Sequence, residues 1–338
     1  MTTLVTGAGG LIGGRMVATL REQGQPVRAL VRREEQAAPL RQLGAEVFVG
    51  DVRDREVVDS AARDVDVVHQ CAAATGPKWT KQEVYDVNLG GVRNVLEAMR
   101  SNGKGRMVYL SSINVLGIRH FDQAAEDVPT RRENEPHSDV KIDAEELCLE
   151  YHRRHRVDVT ILRPGLVYGP GERHVPKILD AIERGKFAFI GSRDHVIPMV
   201  YLDDQIRAMQ LAAERPEASG RVYHVTDGER TTIGRLADYL AELSGSPKPE
   251  KVLPYLVPRA VCFAFCALRK LRLVKGPGPI TRVGLRFLGC SRHVDISRAR
   301  EELGYLPRTG FREGIAATLR WIEEQREEGS ERLDNRVS

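Results

Sequence analysis

The sequence predicts an α/β protein, a doubly wound parallel sheet with a smaller α/β region interleaved at its carboxyl-terminal side. Three observations predict it. Over the first 165 residues, short β-branched runs alternate with helix-length mixtures of polar and apolar residues, the rhythm of successive βαβ units. The runs are apolar almost throughout, as strands covered on both faces read. A glycine cluster, "TGAGGLIGG", separates the first run from the first helical pattern.

Taken in order, "TLVT", "VRALV", "EVFVG", "DVVHQ", "RMVYLSS" and "VDVTILRP" read as buried strands, and segments such as "RMVATLREQG" and "GGVRNVLEAMRSNG" read as the helices between them. Right-handed crossovers then make a doubly wound sheet the simplest topology. After "RPGLVYGPGER" the rhythm breaks into Gly and Pro punctuation, with short strands in "FAFIG", "VIPMVYL" and "RVYHVT" and helices in "DDQIRAMQLAAER" and "TIGRLADYLAELSG". The expected division is a nucleotide-binding domain over 1–170 and a substrate domain over 171–325, part of which, about 198–226, returns to the first sheet. Residues 326–338 are polar and poor in apolar side chains, the composition of a frayed tail.

A chain of 338 residues, 41% of them hydrophobic, can bury a sizeable core. Its five cysteines, Cys71, Cys148, Cys262, Cys266 and Cys290, are scattered and contain no C-x-x-C pair, so neither a disulfide framework nor a zinc site is indicated. No metal is expected. The chain runs directly into its first strand without a leader pattern, and its longest apolar run, "AVCFAFCAL", is far below the roughly 20 residues of a membrane span. A cytoplasmic location is expected. The net charge of +4 and the lack of interleaved aromatic and basic residues argue against nucleic acid as a partner, leaving a small-molecule substrate.

The glycine cluster carries the first functional signal. Gly7, Gly10 and Gly13 stand at three-residue spacing between strand and helix. Glycines there let the backbone tighten and approach a pyrophosphate, which then faces the free N–H groups of the helix start. At the end of the second strand an acid would bind the ribose 2′-hydroxyl of NAD, whereas arginine accommodates the extra phosphate of NADP. This chain has Arg32 and Arg33 there, with no acid before Glu34. Paired guanidinium groups favour NADP as cofactor, with NAD the alternative.

At this point the chain resembles the extended short-chain dehydrogenase/reductase family, which includes nucleotide-sugar epimerases and dehydratases, dihydroflavonol reductases and 3β-hydroxysteroid dehydrogenases. The likeness rests on "TGAGGLIGG", "GDVRD", "HQCAAA", "VNLGGVRNVLEA", "YLSSINVLG", "LRPGLVYGPG", "VYLDD" and "SRAREELGYLPRTGFREGI", in the family's order along nearly the whole chain. It implies a Rossmann-like doubly wound sheet and NAD(P)-dependent oxidoreductase chemistry on a carbonyl or secondary alcohol. It implies cofactor contacts at Gly7, Gly10, Leu11, Ile12 and Gly13, at Asp51 and Val52 beside the adenine, and at Cys71, Ala72 and Ala73 beneath the cofactor. Asn88, Lys141, Pro164, Gly165 and Val167 complete that set, and the family often pairs helices into a homodimer.

The family's chemistry uses Tyr-x-x-x-Lys with a Ser or Thr. The resemblance places the hydroxyl at Ser112 and the lysine at Lys141, with Glu145 one helical turn on. The tyrosine position is His137. Three accounts of it compete. Imidazole can replace phenol as the proton donor or acceptor, since it ordinarily titrates near 6.5 and lies one helical turn from Lys141, although it reaches less far than phenol. Alternatively another tyrosine supplies the proton, Tyr85, Tyr109 or Tyr168, of which Tyr168 follows the expected substrate loop. In the third, catalysis has lapsed and the chain binds NADP as a regulator or scaffold. A further alternative keeps the cofactor bound and uses transient oxidation for epimerisation or dehydration.

Other residues have plainer readings. Ser111 and Ser112 end a strand on opposite faces, so only one can face the cofactor. His69 reads as a structural histidine, Asp203 and Asp204 as a helix cap and first-turn acid, and His174 as a substrate-loop contact. From Lys251 to Val294 there is no Asp or Glu, while Lys251, Arg259, Arg269, Lys270, Arg272, Lys275, Arg282, Arg286 and Arg292 fall there. That stretch reads as a lid over the substrate, as peripheral membrane contact through 258–275, or as a packed helix with a solvated basic face.

Overall fold

The computed structural model describes residues 1–76, 78–271, 273, 274 and 282–337. In chain order its first half runs β1 (Thr3–Thr6), α1 (Leu11–Glu22), β2 (Val27–Val31), α2 (Glu34–Gln42), β3 (Glu46–Val49), α3 (Arg55–Ala62), β4 (Val67–Gln70), α4 (Lys81–Tyr85), α5 (Gly91–Asn102) and β5 (Arg106–Leu110). There follow β6 (Phe121–Ala124), α6 (Pro136–His155), β7 (Asp158–Pro164), β8 (Leu166–Tyr168), α7 (His174–Glu183), β9 (Phe189–Ile190), β10 (Met199–Tyr201), α8 (Leu202–Glu214), β11 (Val222–Val225) and α9 (Ile233–Leu243). The chain ends with β12 (Val252–Leu253), α10 (Leu256–Lys270), α11 (Arg282–Leu288), β13 (Arg292–Val294), α12 (Ser297–Leu303) and α13 (Phe311–Val337).

Seven strands form one parallel sheet in the order β11-β7-β5-β4-β1-β2-β3, reversing direction of growth at β1. This is the expected doubly wound α/β fold. Every strand read from the first half is present in it. Successive side chains of a strand feed opposite cores: Val5 and Leu110 pack with Met16, Val17, Ile206 and Met209 of α1 and α8, whereas Leu4 and Tyr109 pack with Val58, Val95, Leu96 and Ala144 of α3, α5 and α6. That division explains why the strands read as unbroken apolar runs.

Local signals set the helix starts. The Asp54 side chain accepts from the N–H groups of Glu56 and Val57; Thr80 and Glu83 form a reciprocal capping box at α4; Pro136 opens α6 behind the capping carboxylate of Glu135. Outside the large sheet the short strands pair two by two, β10 with β8, β12 with β9 and β13 with β6. Strands β8, β9 and β10 supply Tyr168, Phe189 and Met199 to a separate core with Val175, Ile233, Leu236 and Phe311, whereas Ala124 of β6 and Val294 of β13 pack with the large-sheet core. Of the 198–226 segment, β11 alone joins the large sheet, while α8 lies against α1 through Arg15 Nε and Asp203 Oδ1 at 2.7 Å.

Two expectations need correction. Tyr201, not Asp203, precedes α8 as its cap position, and buried Asp204 instead accepts from the N–H groups of Arg308 and Thr309 at 2.8 and 3.0 Å, tying the carboxyl-terminal segment to the sheet domain. The polar end, read as a frayed tail over 326–338, continues helix α13 to Val337. Composition misled there because Glu and Arg are good helix formers even without an apolar stripe; residue 338 lies outside the described residues, as do Arg272 and Lys275 of the basic stretch.

Candidate cofactor and active site

The residues expected to touch a cofactor follow one another at the carboxyl ends of adjacent strands, the place where open α/β sheets bind ligands. After β1, Gly7 has φ +63°, and a Cβ on it would lie 2.7 Å from the Ala72 backbone. A Cβ on Gly13 would lie 2.4 Å from the Gly7 carbonyl oxygen. Gly10 precedes α1 in extended conformation with no side-chain cap, and the first turn of α1 holds no acid. The N–H groups of Leu11, Ile12 and Gly13 therefore have no intrahelical acceptor, and the turn fits a diphosphate. Gly13→Ala is expected to lower stability by about 1–3 kcal/mol and to abolish NADPH binding, read together by thermal unfolding and fluorescence titration. Unchanged affinity would remove the turn from the site.

The ends of β2 and β3 form the next part. Arg32 is exposed and lies over the Trp79 ring, 5.0 Å from its centroid; exposed Arg33 precedes α2 and approaches Glu35 only to 3.9 Å. Asp51 is half-buried. Burial works against its charge, but the Arg53 guanidinium, at 2.9 and 3.0 Å, outweighs it and holds the carboxyl below the ordinary aspartate range. Buried Val52 packs on Gly91, and its carbonyl accepts from Asn94 at 3.0 Å. Trp79 escaped the sequence reading because nothing in "GPKWT" announces that it folds under an arginine 47 positions earlier.

The loop after β4 is held from both sides. Thr6 Oγ1 donates to Gln70 Oε1 at 2.6 Å and accepts from Ala72 N–H at 3.2 Å. Asn88 stands in a π-helical turn, Asp86–Gly90, and clamps the loop: its Oδ1 accepts from Ala74 N–H at 2.6 Å and its Nδ2 donates to the Ala74 carbonyl at 3.3 Å. Wide turns of this kind recur at functional sites. Cys71, Ala72 and Ala73 are thereby presented half-buried beside Gly7. His69, inside the sheet, is pushed down to about 3 by burial and stays neutral.

At the end of β5 the two serines part. Ser111 turns toward α6 and donates to Glu145 Oε1 at 2.5 Å. Ser112 faces the other way, half-buried, its Oγ accepting from Asn114 N–H at 3.2 Å at the start of the 3-10 turn Ile113–Leu116. Lys141 Nζ donates to the Leu110 carbonyl at 2.6 Å and sits 4.8 Å from the Tyr109 ring centroid. Burial pushes this ammonium down to about 8, against the opposing pull of Cys71 and Glu145. One turn earlier on α6, His137 is half-buried, and its Nδ1 is buried without a hydrogen-bond partner among the described residues.

The tyrosines are placed differently. Tyr109 and Tyr168 are fully buried, and burial holds both phenols far above their ordinary range. Tyr168 packs edge-on to Tyr201 in the core of the smaller region. Tyr85 ends α4, its phenol raised by burial and by Asp143. Past β7, a Cβ on Gly165 would lie 2.5 Å from the Pro198 carbonyl oxygen, and Val167 pairs with Val200. His174 contacts Glu172, its own loop's acid.

A model of the NAD dependent epimerase/dehydratase family matches residues 3–226. The chain is 31% identical over 334 residues to "Sterol demethylase protein B" of Methylococcus capsulatus, covering 96% of this chain and 99% of that protein. It is 29% identical over 327 residues to a 2-alkyl-3-oxoalkanoate reductase of Stenotrophomonas maltophilia, covering 93% and 97%. Among solved structures, MoeE5 in complex with UDP-glucuronic acid and NAD superposes with a TM-score of 0.76 at 26% identity, covering 96% of this chain and 100% of that one.

Proposed function

Because this chain belongs to the NAD dependent epimerase/dehydratase family, we propose that it is an NADP-dependent oxidoreductase of the extended short-chain dehydrogenase type, acting in the cytoplasm on a ketone or secondary alcohol with His137 in the proton-transfer role. The observation that carries this reading is the junction of β5 and α6. There Lys141 is pinned to Leu110, Ser112 opens the next turn, and His137 holds an unpartnered ring nitrogen one helical turn away.

A nicotinamide supplies or accepts the hydride when bound. The chain's own part is to hold and orient: the glycine turn for the diphosphate, Lys141 for a ribose hydroxyl, Ser112 for the substrate oxygen, His137 for its proton. The names of these relatives include a sterol and an alkyl-oxoalkanoate, which supports an apolar carbonyl compound over a sugar nucleotide. The test is NADPH oxidation with a panel of apolar ketones, and NADP reduction with the matching alcohols. Tight NADPH binding without turnover across the panel would favour the regulator or scaffold; turnover of a nucleotide sugar without net cofactor change would favour epimerisation. A homodimer through paired helices is the assembly that the family resemblance supports, checked by sedimentation velocity.

The preference for NADP rests on Arg32 and Arg33, neither engaged by a carboxylate closer than 3.9 Å in the described residues. Replacing both by alanine is expected to weaken NADPH at least roughly tenfold, the scale of one charge-assisted contact, while NADH affinity changes little. An equal loss for both dinucleotides would end the argument for phosphate selection.

A further inference from the structure

Among the described residues thirteen large apolar side chains are exposed, and seven of them lie between Leu256 and Leu273. Leu256, Phe263, Leu271 and Leu273 are each 68–69% exposed. Along helix α10 Pro258 and Cys262 are buried and Phe265 is half-buried, and Cys262 packs with Ile190 and Leu285. Its outward side, which soluble helices make polar, carries Val257, Val261 and Phe263 instead, with Arg259 beside them. Apolar patches of this kind mark contact surfaces.

Charge indicates the occupant. The sequence from Lys251 to Val294 contains no acid, and Arg269 and Lys270 close the helix. A second copy in a two-fold contact would set this cationic stretch against itself, with no carboxylate in the segment to answer it. An anionic bilayer supplies both an apolar phase and the opposite charge. The helix has 15 residues, about 22 Å, and no helix among the described residues is long and apolar enough to cross a membrane, so it lies along the interface. We propose that 256–273 is a docking surface for anionic membrane, with α10 seated at the headgroup boundary.

Helix α11, on which α10 packs through Cys262 and Leu285, leads from this surface toward the site. Phe287 of α11 stacks on the buried Arg292, 4.3 Å from ring centroid to guanidinium, and Arg292 donates to Asn114 Oδ1 at 2.8 Å, two residues from Ser112. On the functional reading above, docking turns the substrate side toward the bilayer, where an apolar ketone would partition.

The experiment is co-sedimentation of the full chain with phosphatidylcholine vesicles, with and without phosphatidylglycerol, at low and high salt. Binding is expected to be at least tenfold tighter with phosphatidylglycerol and to weaken with salt. Leu256→Asp with Phe263→Asp, both at exposed positions, is expected to reduce it at least tenfold while thermal unfolding and NADPH affinity stay unchanged. No vesicle binding, equal binding to both vesicle types, or an unaffected double variant overturns the proposal. So does a dimer in light scattering that the double variant splits while vesicles are ignored. NADPH binding and turnover of a water-soluble ketone, measured without vesicles, report separately on the oxidoreductase reading.

Discussion

His137→Ala is expected to lower turnover by roughly two to four orders of magnitude, the range of a positioned general acid or base, while NADPH affinity and thermal unfolding remain as in the parent. The half-buried ring makes no hydrogen bond through Nδ1, so removing it unsettles little, whereas a proton-transfer group cannot be spared. Direction sets the pH profile: a donor role makes reduction slow as pH rises, and an acceptor role makes alcohol oxidation slow as pH falls. A second limit comes from Lys141, which burial holds near 8; its ammonium is present below that pH and lost above it. In the cofactor-free protein the sign is the reverse of a stabilising pair. Between about 8 and the ordinary lysine value of 10.5 the unfolded chain binds more protons, so stability rises with pH across that window. Steady-state kinetics of His137→Ala and His137→Tyr decide the role. Full turnover in the alanine variant rejects it, and activity only in the tyrosine variant shows an enzyme whose chemistry had lapsed.

The large-sheet strands between Thr3 and Pro164 were legible because a parallel sheet buried on both faces writes unbroken apolar runs, and the glycine turn was legible because Gly7 and Gly13 stand where no Cβ fits. What the sequence hid depends on distant partners. Alternation said that one of Ser111 and Ser112 must turn away from the cofactor side, but Ser111 meets Glu145 only once α6 is laid against β5. Arg163 read as one more residue of a strand, since its partner lies 18 positions earlier. Strands β6, β12 and β13 are two to four residues long and pair with segments far away in the chain, below what periodicity can register. Likewise "AVCFAFCAL" is apolar on all sides, so its pattern could not say which side would meet the protein and which would be left outside.

Glu145→Ala is expected to cost about 3–5 kcal/mol of stability, because it leaves a buried guanidinium without its charge partner. Arg163 and Glu145 are 6% and 4% exposed and meet side by side, Nη2 to Oε2 at 2.6 Å and Nε to Oε1 at 2.9 Å. Ser111 adds a further hydrogen bond to the same carboxylate, and Arg163 Nη1 reaches the Glu126 carbonyl at 3.3 Å. Replacing the pair together, Glu145→Leu with Arg163→Met, removes both charges at once and should restore much of the lost stability, as buried pairs usually allow. Denaturant unfolding of the two variants separates the cases: a single-variant loss under about 1 kcal/mol would mean that water reaches the pair and that its burial matters little. The double variant also separates folding from positioning. Glu145 stands one turn beyond Lys141 on α6, and its bonds to Ser111 and Arg163 lock that helix to the ends of β5 and β7, where Lys141 finds the Leu110 carbonyl. If this lock sets the lysine's reach, the stable double variant should still show a raised KM for NADPH; a parental KM would confine the pair to stability.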